Sequence, residues 1–194
     1  MKKQVVIIHG GYSFNSRQEY IDSLKNTAIT IDSFRPRVDW KNSLSDKLGA
    51  EYDVLLPRMP NKDDAHFAEW KTWFEKMFPF LWDEVILIGH SLGGIFLAKY
   101  LAENNFPEKI SGLFLVAAPY TGVGDFILQK SSDRLIRQVS KIFLIASKDD
   151  QVVPFSEMES YKKELPNAEV VSFDDRGHFN QSEFPEIVTL IKHF

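Results

Sequence analysis

The chain has 194 residues, 44% of them hydrophobic and 26% charged, with a formal net charge of −4 and no cysteine. These proportions exclude a disordered or fibrous chain and leave room for one well-filled core. The missing cysteine removes disulfides, thiolate metal ligands and thiol nucleophiles together. A mixed, mildly acidic charge pattern argues against a nucleic-acid partner. No apolar run approaches the roughly 18 residues that cross a bilayer, and the one after Lys3 is too short for a secretory leader, which needs about 7–15. No membrane insertion and a cytoplasmic address are therefore expected.

Residues 4–9 (QVVIIH) are the first buried-strand candidate and run straight into Gly10-Gly11. Helices are expected over 16–24 and 39–48, before a strand over 52–56 (YDVLL) that stops at Pro57. A helix over 65–77 carries Phe67, Trp70, Phe74 and Met77 on one stripe. The strand over 84–89 (EVILIG) leads into a helix over 92–103. Strands over 113–117 and 142–147 enclose the least regular stretch, 120–140, where Gly122, Gly124 and a polar run interrupt the pattern. An irregular or short-helical excursion is expected there, the one candidate for a minimal lid. A helix over 155–165, a strand over 169–173 and a helix over 184–194 close the chain. Strands this short and apolar suit a sheet covered on both faces. Their alternation with helices predicts an α/β fold: a doubly wound, mostly parallel sheet of about six strands, in one domain over 1–194.

The sharpest local signal is Gly89-His90-Ser91-Leu92-Gly93, extended by Gly94. It fits G-x-S-x-G with a strand before it and a helix after it. A serine aimed at a substrate stands at the tip of a tight, strained strand-to-helix turn. Side chains two residues either side would collide with neighbouring backbone, so glycine is favoured at both places. The Leu92 N–H then lies at a helix N-terminus, facing negative charge that develops on a substrate oxygen. Ser91 is the candidate nucleophile.

A serine hydroxyl needs a base, and the base needs a carboxylate to fix its tautomer. The chain order for such an elbow is Ser, then Asp or Glu, then His. Downstream of Ser91 stand only His178 and His193. His193 falls at the end of the terminal helix, whereas His178 sits in a polar loop after the last strand, so His178 is the candidate base. For the acid, the loop after strand 142–147 offers Asp149 and Asp150, which are adjacent and cannot both point the same way. Asp174 and Asp175 read as loop acids or caps. After the first strand, His9-Gly10-Gly11-Tyr12 lets backbone approach a ligand, with the Gly11 amide as a second oxyanion donor. His9 and His90 read as structural. Tyr12, Phe14, Tyr120, Phe126 and Phe179 are loop aromatics suited to an apolar substrate pocket, although Phe126 suits the core at least as well. No metal or cofactor is expected, because one histidine among loop acids is a weak ligand set.

The segments VVIIHGG (5–11), ILIGHSLGG (86–94), SKDDQVVP (147–154) and Gly177-His178-Phe179, in that order, resemble the α/β-hydrolase superfamily. In such proteins the loop pattern D-x-x-V-P begins at the catalytic acid, which the resemblance places at Asp150. A narrower resemblance, carried by LPRMPN (56–61), Asp64 and Trp70, is to the small serine hydrolases related to retinoblastoma-binding protein nine. That group has little or no cap, and residues 27–40 are longer here than in its pattern. The resemblance implies hydrolysis of a small-molecule ester or amide through an acyl-serine, with Ser91, Asp150 and His178 as the triad, and it supplies no particular substrate. Two other readings stay open: a hydrolase scaffold kept for binding, and an acyltransferase or perhydrolase using the same serine.

Overall fold

The computed structural model describes residues 2–36, 38–128 and 131–194. Its strands are β1 (Lys3–Ile8), β2 (Tyr52–Leu55), β3 (Val85–His90), β4 (Ile110–Val116), β5 (Val139–Ser147) and β6 (Glu169–Phe173). They form one sheet in the order β2-β1-β3-β4-β5-β6, parallel throughout. Parallel neighbours need crossovers, and helices supply them: α1 (Arg17–Asn26) and α2 (Trp40–Leu48), α3 (Phe67–Glu75), α4 (Leu92–Glu103), α5 (Asp133–Gln138) and α6 (Phe155–Glu164). The last helix, α7 (Pro185–Lys192), follows β6. The chain is thus an α/β protein with the doubly wound sheet read from its sequence.

Period-2 alternation divides the core in two. Val6 and Ile8 of β1 face one layer with Leu87, Leu113, Leu115 and Leu144, covered by Trp70 and Phe74 of α3 and by nearly all of α4. Val5 and Ile7 face the other with Ile86, Ile88, Phe114 and Phe143, covered by Trp40 and Leu44 of α2 and Ile187 and Ile191 of α7. Full burial of such a side chain contributes about 1.5–3 kcal/mol each.

Two stretches differ from the expected elements. β5 begins at Val139, directly after α5, so the irregular excursion is shorter than 120–140. Within it Phe126 is fully buried against Phe67, Trp70 and Phe96, in the core rather than at a pocket. Residues 129 and 130 of the candidate lid lie outside the described residues. Among the described residues, the stretch between α1 and α2 holds one 3-10 turn, Ile31–Phe34, before Asp39 caps α2. Among the described residues no helix is long and apolar enough to cross a membrane.

Strand order reverses between β1 and β3, since β2 lies on one side of β1 and β3 on the other. The C-terminal ends of strands flanking such a switch are where open α/β sheets bind ligands. Here those ends lead into Gly10-Gly11 and Ser91.

Candidate active site

β3 ends at His90 and α4 begins at Leu92, so Ser91 makes the turn alone, with φ 55° and ψ −122°. Such a backbone costs on the order of 1–3 kcal/mol and persists only where surroundings enforce it. The Ser91 N–H donates to the Val116 carbonyl at 2.8 Å, and the Gly94 N–H donates to the Ser91 carbonyl at 2.8 Å. The glycines are required by space. A Cβ on Gly93 would stand 2.2 Å from the Ile8 carbonyl oxygen, and one on Gly89 2.5 Å from the Gly93 carbonyl oxygen.

Ser91 Oγ lies 2.9 Å from Nε2 of His178, and Nδ1 of the same ring lies 2.8 Å from Oδ2 of Asp150. The carboxylate can only accept at Nδ1, which leaves Nε2 as the acceptor facing the serine hydroxyl. The other Asp150 oxygen accepts the Val152 and Val153 N–H groups at 2.8 and 3.0 Å, so the carboxylate is held at both ends. Its side chain is 2% exposed and that of His178 12%. Such an arrangement can pass a proton from Oγ to the ring while the carboxylate stabilises the imidazolium.

Asp149 points elsewhere. Its Oδ1 accepts from the Ser147 hydroxyl at 2.5 Å and from the Gly177 N–H at 2.9 Å, and Ser147 Oγ accepts the Arg176 N–H at 3.0 Å. The Ser147 hydroxyl, followed by the Gly177 amide, holds the Asp149 carboxyl below its ordinary range. Asp149 therefore ties down the loop that carries His178 without touching its ring.

That loop has a second anchor. Gly177 and Phe179 adopt φ 51° and 52°, on either side of His178. The left-handed region is uncommon for a bulky residue, and here it accompanies a Phe179 ring driven inward, fully buried, 5.7 Å from Phe173 and 5.2 Å from Phe184. Phe179, expected as a substrate-contacting aromatic, is instead a core anchor beneath the histidine. From α2, the Trp40 indole N–H donates to the Phe179 carbonyl at 2.9 Å and the Trp40 backbone N–H to the Gln181 carbonyl at 3.0 Å. Sequence reasoning missed both Trp40 and the role of Asp149. The first partners are 139 residues apart, and the only local sign is the capping box that starts α2 at Asp39.

Among the described residues, the Gly11 and Leu92 N–H groups have no protein acceptor. The Tyr12 N–H differs, donating to the Lys62 carbonyl at 2.7 Å. The loop after β1 runs close to the elbow, since a Cβ on Gly10 would come 3.1 Å from Ser91 Cβ. The Tyr12 side chain is exposed, and the Tyr120 ring stands edge-on to Tyr161 at 5.1 Å. A cleft of about 380 Å³ borders this side through Asn61 and Lys62, but none of Ser91, Asp150 and His178 lines it. His9 is occupied at both nitrogens: Nδ1–H donates to the Gly10 carbonyl at 2.6 Å and Nε2 accepts from the Met59 N–H at 2.9 Å. Burial lowers its pKa. His193 is exposed at the end of α7, its Nδ1–H donating to the Thr189 carbonyl at 2.7 Å.

Comparisons with known proteins give a family and a fold. A family model described as serine hydrolase matches residues 35–191. YdeN of Bacillus subtilis is 28% identical over 190 residues, spanning 94% of this chain and 89% of its own. The serine hydrolase RBBP9 of Rattus norvegicus is 28% identical over 149 residues, or 73% of this chain and 77% of its own. The crystal structure of the ydeN gene product from B. subtilis superposes with a TM-score of 0.76, covering 99% of this chain and 98% of that one at 22% identity, a likeness of fold.

Proposed function

Because the chain belongs to the serine hydrolase family, we propose that it cleaves a carboxylic ester or amide of a small molecule through an acyl-serine intermediate. The observation that carries the reading is the unbroken hydrogen-bonded run from Ser91 Oγ through the His178 ring to Asp150. In the proposed cycle His178 takes the Ser91 proton as Oγ attacks the substrate carbonyl. The free Gly11 and Leu92 amides receive the oxyanion of the tetrahedral intermediate. Collapse expels the alcohol or amine, which leaves with the proton from His178. Water, deprotonated by the same ring, then releases the acid and restores Ser91. The reading takes the chain as one domain with at most a small lid in 120–140, and with the Tyr12 and Tyr120 rings beside the entering substrate. An open site of that kind favours short or exposed esters over long lipids.

A fluorophosphonate probe tests this, applied to the wild type, Ser91→Ala and His178→Ala, followed by p-nitrophenyl esters of increasing chain length. The wild type should label and turn over. Ser91→Ala should lose labelling and about 10⁴–10⁶ in rate at unchanged melting temperature. A well-folded wild type that does not label would sink the reading in favour of a binding scaffold.

A further inference from the structure

The proposed cycle leaves unused a buried pair behind His178. His90 ends β3 and is 4% exposed; Lys41 lies in the first turn of α2 and is 7% exposed. Nζ of Lys41 is 3.3 Å from Nδ1 of His90 and 2.8 Å from Oδ2 of Asp39. On the other side of the ring, Nε2 of His90 is 2.9 Å from the backbone carbonyl oxygen of His178.

The chemistry of the two ends fixes the ring between them. An ammonium only donates and a carbonyl only accepts. Nδ1 must therefore offer a lone pair to Lys41, and Nε2 must carry the proton that the His178 carbonyl receives. The opposite tautomer would set donor against donor at one end and acceptor against acceptor at the other; the doubly protonated ring fails at Lys41. Burial, followed by the positive charge of Lys41, keeps the ring well below its ordinary pKa, against the pull of the His178 carbonyl. The carbonyl that receives this proton belongs to the residue between the two left-handed positions, Gly177 and Phe179.

We propose that Lys41 and His90 are positioning residues for His178: Lys41 fixes the His90 tautomer, and the His90 Nε2–H holds the His178 main chain so that its ring stays within reach of Ser91. The consequence for rate rests on the triad reading above, while the tautomer itself does not.

A purely structural buried Lys–Asp pair makes a different prediction. Removing one member of such a pair costs stability, and Lys41→Met leaves Asp39 without its ammonium, so a purely structural role predicts a lower melting temperature with the reactivity of the folded protein unchanged. The positioning role predicts a folded Lys41→Met whose fluorophosphonate labelling and kcat on p-nitrophenyl acetate fall by about 10–100-fold, with KM little changed. His90→Leu should fall similarly. His90→Gln places an amide N–H near the position of Nε2 and should recover most of the loss. Long-range ¹H–¹⁵N imidazole spectra supply a readout independent of turnover: His90 should be a single Nε2–H tautomer in the wild type and a mixture in Lys41→Met. Wild-type labelling speed in Lys41→Met, equal loss in His90→Gln and His90→Leu, or a wild-type Nδ1–H tautomer would each overturn the inference. If the wild type does not label at all, the triad reading has failed, and the spectra still decide the Lys41–His90 arrangement.

Discussion

The elbow and the histidine loop place their two functional side chains by opposite means. Ser91 is set by its immediate neighbours: glycines at 89 and 93, a strand behind and a helix ahead, all within a few residues. His178 is set from afar, by Asp149 on the β5 side, Trp40 of α2 and His90 of β3, none within 25 residues of it in the chain. The first is strain enforced by close contact; the second is a loop tied at several points to separate elements. A short motif marks the former, although Ile8 and Val116 of neighbouring strands also hold it, whereas no local pattern marks the ties of the latter.

Substitutions can break this contrast at either end. The largest effect is expected inside the acid loop. Asp150→Asn, which leaves the geometry but spoils the His178 tautomer, should lower kcat about 10⁴-fold. Asp149→Asn keeps an amide oxygen that accepts from Ser147 and Gly177, and should cost less than about tenfold. Equal losses in steady-state kinetics would show that the two carboxylates do not divide the work as their bonds suggest.

At the elbow, Gly93→Ala drives a methyl into the Ile8 carbonyl and should destabilise by about 1–3 kcal/mol or more in denaturant unfolding. At the histidine loop, Trp40→Phe keeps the ring packing but leaves the Phe179 carbonyl without its donor. We expect about 1–3 kcal/mol there, together with slower labelling by the probe, a combination that distinguishes a clasp from plain core packing.

The smallest effect is a pH dependence. His9 and His90 are both held below the ordinary imidazole value of 6.5, chiefly by burial. Below that value the unfolded chain binds protons that the folded one refuses, so stability falls as pH falls. The melting temperature should decline between about pH 7 and pH 5, above the range where carboxylates titrate. His90→Gln should flatten that decline; an unchanged slope would mean that His90 takes up its proton without disturbing the fold.

The same contrast explains what was legible in the sequence. The parallel sheet and the elbow are readable because each is a local pattern, β-branched runs and G-x-S-x-G, whereas Asp150 is singled out from Asp149 only by the resemblance that D-x-x-V-P carries. The clasp from α2 is not, because Trp40 stands 139 residues from Phe179 in the chain and no motif links the two. Phe179 shows the hazard of reading by adjacency. It follows His178 in the chain, but its backbone takes a positive φ and its ring is fully buried against Phe173 and Phe184. The start of β5 was misplaced for a related reason, since exposed Ser140 and Lys141 interrupt an apolar run that resumes at Val139.

The anchoring of the histidine loop also sets a dependence within the fold. Phe184, Ile187 and Ile191 pack in the same layer as Phe179. Where they are undocked, the elbow and the Asp150 turn keep their local bonds, yet Phe179 has no floor on which to settle. The seat of the base thus rests on a helix that adds no strand to the sheet.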